Sequence, residues 1–181
     1  MNKLLVLVQN KSIINKVKEV EKTTFLFPLE GFSVGYPITF KLDEIEEFGC
    51  YILVNRLLDE KSIEELKDLL KNFPKNIKGI VFEDLGVIEL VKDLDITKIL
   101  WQNHLCASYP SVNGYLKYVD SVMMSTDITE DEIKEIINKA DKPLVLPVLG
   151  YTPIMYSRRH LITNYNINYD ENVSNPNVIK E

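Results

Sequence analysis

Seven short apolar segments recur along the chain and alternate with segments of helical periodicity. Most of the apolar segments are nearly continuous, which is the pattern of parallel β-strands covered on both faces. The spacing between them is that of β/α units. The predicted strands are residues 4–8, 24–29, 51–54, 77–82, 98–101, 121–124 and 143–149. This alternation predicts an α/β fold, either a short or incomplete (β/α) barrel of the TIM type or an open doubly wound sheet.

Two helices carry the capping-box pattern at their predicted starts. Ser62 is followed by Glu65, and Thr129 is followed by Glu132, each just before apolar residues that recur on one helical face. Weaker helical patterns cover 12–22, 43–48 and 87–94, and a short helix is expected over 110–118. Asp84 lies where it could cap a further helix.

Composition is that of a globular chain of 181 residues with a formal net charge of −6. This charge argues against a sequence-independent grip on nucleic acid by the chain alone, because such binding depends on neutralising phosphates. Cys50 and Cys106 are too few for a disulfide framework. No apolar run approaches the ~20 residues that span a bilayer. We therefore expect a cytoplasmic protein with one barrel domain over 1–163 and a polar, asparagine-rich tail over 164–181.

Polar residues follow each predicted strand from the second onward. In a barrel the carboxyl ends of the strands meet around one pocket, so these residues are candidates for a site. Glu83 is the candidate acid or base, and its neighbour Asp84 is expected to point the other way and cap a helix. The candidate pocket residues are Gln102, Asn103, His104 and Ser125. The alternative is that strand ends are polar only because loops are solvated and helices need caps, a role that Asp127 could also fill.

The segment 150–160 directly follows the last predicted strand and combines a glycine with several functional side chains. Arginine suits bidentate binding of phosphate or carboxylate, so the segment is a candidate anion site. Alternatively, its cations are a helix face that pairs with the acidic surface. Ser157 and His160 are the one local combination of a nucleophile and a base. The candidates in this segment are Tyr156, Ser157, Arg158, Arg159 and His160.

Three stretches, 80–87, 99–133 and 150–161, resemble segments of the collagenase-like peptidase family, peptidase family U32. The third stretch is similar to the family signature Gly-x-x-Cys-x-x-Tyr-Ser-x-(Arg/Gln)-Cys-Leu. The matching residues are Gly150, Tyr156, Ser157 and Arg159. The two cysteine positions of the signature carry Pro153 and His160 in this chain, so it resembles a short member that lacks the signature cysteines.

The resemblance implies a (β/α) barrel and one of several activities. Family members are described as peptidases, and several act instead in hydroxylation of RNA bases or quinone precursors, some as pairs of paralogous subunits. Some hold an iron–sulfur cluster through cysteines. Because this chain has two cysteines and such a cluster needs four thiolates, we expect no cofactor held by the chain itself.

The leading interpretation is therefore an accessory or paired subunit in hydroxylation of a transfer-RNA uridine. The expected partner is a larger paralogous subunit, through which RNA would be bound. Whether the chain is an enzyme by itself stays open. The first alternative is a peptidase that uses Ser157 with His160, and the second is a non-catalytic module that closes its barrel by oligomerisation.

Overall fold

Six parallel strands form one sheet in the computed structural model, which describes residues 3–71, 73–102 and 104–150. Every strand is hydrogen-bonded to the strand that precedes and follows it in sequence. A doubly wound sheet reverses its strand order, so this order excludes that alternative and is the order of a partly formed barrel. The strands are β1 Leu4–Leu7, β2 Thr23–Pro28, β3 Tyr51–Val54, β4 Gly79–Phe82, β5 Thr97–Trp101 and β6 Ser121–Met123.

The seventh predicted strand is reduced to a single parallel bridge between Met123 and Val145. The Met124 N–H donates to the carbonyl of Val145 at 2.8 Å, and the Val145 N–H donates to the carbonyl of Val122 at 2.9 Å. The segment therefore continues the sheet beside β6, as predicted. A ladder does not extend from the bridge because Pro143 and Pro147 lack the backbone N–H that it needs. The prediction of about seven strands was thus one too many for the part of the chain that the structure describes.

Five α-helices and one 3₁₀ helix connect the strands within the described residues. The helices are α1 Lys11–Val17, α2 Glu60–Lys71, α3 Val87–Val91, α4 Tyr109–Leu116 and α5 Glu130–Lys139, and the 3₁₀ helix is Asp43–Ile45. Most are shorter than the sequence pattern predicts. In the described ranges no helix has the length and apolar character to cross a membrane.

One of the two predicted capping boxes is confirmed. The Thr129 hydroxyl accepts from the Glu132 N–H, and the Glu132 carboxylate accepts from the Thr129 N–H at 2.7 Å. The box predicted at Ser62 was wrong, because α2 begins two residues earlier and Ser62 is buried inside its first turn. The Ser62 N–H instead donates to the Asp59 carboxylate at 2.9 Å, so Asp59 supplies the cap.

Side chains along the strands alternate between two faces of the sheet, and each face has its own apolar cluster. The larger cluster lies on the face that the helices cover, which we call the outer face. The smaller cluster lies on the opposite, inner face. It consists of Leu26, Leu53, Val81, Ile99 and Met123, with Tyr36, Tyr51, Trp101 and Val145 among the partly buried side chains packed against it. In a (β/α) barrel the corresponding face of the sheet points into the barrel.

The chain divides into two compact units, Met1–Leu149 and Gly150–Glu181. The described residues belong almost wholly to the first unit. The predicted domain boundary at 163/164 and the asparagine-rich tail lie outside the described residues.

Gly79 generates a stability prediction, because a side chain there has no room. Gly79 pairs with Tyr51 on β3 and with Thr97 on β5. A Cβ on Gly79 would meet the Tyr51 ring and come within 2.5 Å of the Thr97 carbonyl oxygen. Since backbone cannot yield easily, Gly79→Ala should lower the free energy of unfolding by about 1–3 kcal/mol in urea denaturation.

The matched control is Gly114→Ala in α4, where a Cβ would have no atom within 4 Å. This substitution should raise the free energy of unfolding by about 0.5–1 kcal/mol, since alanine favours a helix over glycine. Equal effects of the two substitutions would contradict the packing described for β4.

Candidate functional site

The carboxyl ends of β4, β5 and β6 lie side by side and bring several sequence-predicted residues to one edge of the sheet, here called the carboxyl edge. Glu83 follows β4, Gln102 and His104 follow β5, and Ser125 follows β6. The side-chain amide of Gln102 donates to the backbone carbonyl of Glu83, which ties the first two of these strand ends together. Asn103 lies outside the described residues.

Glu83 lies half-buried at the carboxyl edge, two residues after Val81 of the inner cluster. Burial raises the pKa of its carboxyl group above the ordinary value of 4.5. The charge of His104 opposes this rise, and the charge of Asp84 adds to it. A half-buried carboxyl group with a raised pKa, at the end of a strand, is typical of a general acid or base.

Asp84 faces away from Glu83 and has a structural role. Its carboxylate accepts from the N–H of Leu58 and from the N–H of Gly86, both at 2.8 Å. These bonds hold the start of α3 and the loop after β3. The two adjacent acidic residues therefore do not converge on one ligand, as the alternation along a strand predicts.

His104 and Asp127 form the second proton-handling group of the carboxyl edge. Nδ1 of His104 lies 3.1 Å from a carboxylate oxygen of Asp127, and both side chains are more than half exposed. A carboxylate that holds one imidazole nitrogen orients the ring and leaves the other nitrogen for proton transfer. Asp127 was considered as a helix cap, but Thr129 caps α5.

Ser125 is hydrogen-bonded to the loop that carries Asp127 of this pair. It is buried, and its hydroxyl accepts from the Asp127 N–H at 3.1 Å. Its own N–H donates to the carbonyl of Cys106 at 3.3 Å. Ser125 therefore holds the loop that carries Asp127.

Two aromatic residues of the site, Tyr36 and Trp101, were not among the sequence candidates. Trp101 is the last residue of β5, and Tyr36 lies in the loop 29–40 after β2; both pack against the inner cluster. Burial, with a smaller contribution from the charge of Glu83, raises the pKa of Tyr36 to about 12. The phenol is therefore neutral at physiological pH and lies within electrostatic reach of Glu83. The available signals were the single tryptophan at a predicted strand end and the tyrosine between Gly35 and Pro37.

The cysteines do not form the ligand set of an iron–sulfur cluster. Cys50 precedes β3 and Cys106 follows β5, so they lie at opposite ends of parallel strands. Both are fully buried, and burial raises the pKa of the thiols to about 12 and about 11. They are therefore neither thiolate ligands nor ready nucleophiles. Within residues 3–71, 73–102 and 104–150, no group of three or more His, Cys, Asp and Glu side chains could hold a metal ion.

A cavity of about 300 Å³ lies apart from these groups, between α1 and the 3₁₀ helix. Its wall is aromatic, formed in part by Phe27, Phe40 and Phe48, with Lys11 and Glu44 among its polar residues. None of the carboxyl-edge residues lines it. Shape alone therefore does not identify the chemical site in this protein.

The remaining sequence candidates lie outside the described residues. They are Tyr156, Ser157, Arg158, Arg159 and His160. Gly150, which precedes them, has a φ of +145°, a conformation that favours glycine.

Comparison with known families matches the sequence profile of Peptidase family U32 to residues 41–175, which is 135 of the 181 residues. The chain belongs to this family. The matched range contains β3 to β6, the site residues from Glu83 to Asp127 and the segment 150–160, and Tyr36 precedes it. The resemblance seen in the sequence is thus confirmed. No curated protein matches the chain significantly.

Glu83 gives a pH prediction. Because its pKa is raised in the folded protein, its contribution to stability is complete below the unfolded value and is lost as pH rises through the folded value. Glu83→Gln removes this loss. The stability of the variant relative to wild type should therefore increase as pH rises above about 4.5, measured by urea denaturation.

The control is Glu44→Gln, where the backbone N–H of Lys41 holds the pKa of the carboxyl group below its usual value. A lowered pKa gives stability that is complete above the unfolded value, so the stability of this variant relative to wild type should fall as pH rises toward about 4.5 and stay constant above it. The same pH trend in both variants would contradict the assigned environment of Glu83.

Proposed function

We propose that the chain is a paired subunit in hydroxylation of a transfer-RNA uridine, and that it holds the base at the carboxyl edge. The observation that carries this proposal is the position of Trp101 on the inner face, at the same edge as the half-buried Glu83. An aromatic face beside a hydrogen-bonding group is the usual protein site for an unstacked RNA base.

The physical fit to a base has three parts. Enzymes that act on a base take it out of the stack into a pocket, where aromatic side chains replace the lost stacking. Trp101 offers such a face, and Glu83 offers a hydrogen-bonding partner for the edge of the ring. The oriented imidazole of His104 can exchange a proton with the solvent side of the bound base.

A partner subunit supplies what this chain lacks for the reaction. Hydroxylation replaces a ring C–H by C–OH, which is a two-electron oxidation, so both the oxygen atom and a two-electron oxidant would have to be supplied through the partner. The buried Cys50 and Cys106 do not fit a redox centre. With a net charge of −6, the chain also relies on the partner for most of the grip on the RNA backbone. Arg158, Arg159 and His160 would contribute a local anion site.

The closed barrel belongs to the same proposal. The sequential order of β1 to β6 and the bridge at Val145 support a (β/α) barrel of the TIM type that continues beyond the described strands. Closure through a hetero-oligomer would place a paralogous subunit at the open side of the sheet, and closure through a homo-oligomer would place a second copy of this chain there. A cytoplasmic location, where transfer RNA is modified, is part of this proposal.

Peptide hydrolysis is the second candidate, and the contact between His104 and Asp127 favours it. An imidazole held by a carboxylate is the base of many hydrolases. The nucleophile would be Ser157, or a water molecule activated by His104.

The proposed function predicts a change in transfer-RNA composition. Deleting the gene should abolish one hydroxylated uridine, measured by mass spectrometry of digested transfer RNA, and the wild-type gene should restore it. Glu83→Gln should restore it at least about 10-fold less well, since general acid–base groups contribute about 10²–10⁴-fold. Trp101→Ala should restore it about 5-fold or more less well, because stacking of a base on an aromatic ring contributes about 1–3 kcal/mol.

Glu89→Gln is the control, because Glu89 lies on the exposed surface of α3, where it pairs with Lys92 at 2.7 Å. It should restore the modification fully. Unchanged transfer RNA in the deletion strain would refute the proposal. If the purified chain then cleaved denatured collagen, and His104→Ala abolished the cleavage, the peptidase candidate would replace it.

A further inference from the structure

The loop 29–40 is compact, and its two ends lie side by side. A bridge between Leu29 and Phe40 joins its two ends. The Phe40 N–H donates to the carbonyl of Pro28 at 2.8 Å, and the Glu30 N–H donates to the carbonyl of Phe40 at 2.9 Å. A compact loop with adjoining ends is an Ω-loop, a form that frequently carries function.

Side chains at the end of β3 fasten this loop to the sheet. Asn55 is buried, and its amide both accepts from the Val34 N–H at 3.0 Å and donates to the Val34 carbonyl at 3.1 Å. The Ser33 hydroxyl donates to the carbonyl of Leu53 at 2.6 Å. The guanidinium of Arg56 donates to the carbonyl of Gly31 at 2.9 Å. The segment just before Tyr36 is therefore held in place.

Tyr36 is the residue that this loop delivers to the inner face. Its ring packs against the inner cluster, to which Val81 of β4 belongs. Glu83 lies two residues after Val81, so the two side chains point to the same face of the sheet. Tyr36 and Glu83 are therefore brought to the same face of the sheet. Together they present a neutral hydroxyl donor beside a carboxyl acceptor.

We infer that Tyr36 and Glu83 read the edge of a neutral planar ring, with Tyr36 donating to a ring carbonyl and Glu83 accepting from the adjacent ring N–H. The inference rests on the proposed function and names the ligand class of the same site. Trp101 supplies the stacking face for the ring. Three carboxyl groups lie at this edge, those of Glu83, Asp84 and Asp127, and they disfavour an anionic group at this point of the ligand.

The test uses uracil and 1,3-dimethyluracil as probes, because the second keeps both carbonyls and has no ring N–H. Trp101 is the one tryptophan in the sequence, so its indole N–H gives a single resonance that reports on the site. Uracil should shift this resonance saturably, and 1,3-dimethyluracil should bind about 5-fold or more weakly, the loss expected for one hydrogen bond to a charged acceptor.

Two variants separate the roles of the two side chains. Tyr36→Phe keeps the ring and should raise the Kd for uracil and for 1,3-dimethyluracil alike by about 2–10-fold, because both probes retain the carbonyl. Glu83→Gln should reduce the preference for uracil over 1,3-dimethyluracil. The matched control is Tyr118→Phe, since Tyr118 is 64% exposed at the end of α4, and its Kd values should equal those of wild type.

The inference is overturned if uracil causes no saturable shift up to its solubility limit, if both probes bind equally, or if Tyr36→Phe binds uracil as wild type does. Its failure can be told from failure of the proposed function. Loss of transfer-RNA hydroxylation on deletion with no preference for uracil would overturn only the ring-edge assignment. A preference for uracil with unchanged transfer RNA would overturn only the hydroxylation proposal.

Discussion

The alternation of side chains along parallel strands is the constraint on which the carboxyl edge depends. Residues at even spacing share a face, so Val81 and Glu83 have the same direction while Phe82 and Asp84 have the other. Phe82 is buried beneath the helices on the outer face. Because successive side chains alternate, Glu83 points toward the inner face. A register shift of one residue would place Asp84 inward and remove the bonds that it makes to Leu58 and Gly86.

Burial and neighbouring charge then give each polar group of the edge a different chemical role. The half-buried Glu83 has a raised pKa, Tyr36 stays neutral, and His104 is oriented by Asp127 in a more solvated position. Groups with perturbed pKa values at one strand edge are typical of a functional site. Burial also raises the pKa of the Cys50 and Cys106 thiols, so neither is a ready nucleophile. The groups available for chemistry in the described part of the chain are therefore oxygen and nitrogen groups.

The sequence predicts the strands well because they are short, apolar and buried on both faces. All six strands lie within two residues of their predicted bounds, and the family resemblance is confirmed. The helix at Ser62 was displaced because Asp59 competes as a cap, which depends on where the chain turns and not on local pattern. Tyr36 was missed for a similar reason: its position depends on Asn55 and Ser33, whose bonds join residues distant in sequence. Pairing of His104 with Asp127 likewise requires the adjacency of β5 and β6.

The most direct test of the account is photo-crosslinking in cells supplied with 4-thiouridine, where partner subunits are present, with the crosslinked peptides of the chain located by mass spectrometry. The base is held at the carboxyl edge in this account, so the crosslinks should fall on Tyr36 and Trp101. Crosslinks concentrated on Ile14 and Phe48, in the cavity between α1 and the 3₁₀ helix, would contradict it. So would the absence of any crosslink that unmodified uridine suppresses by competition.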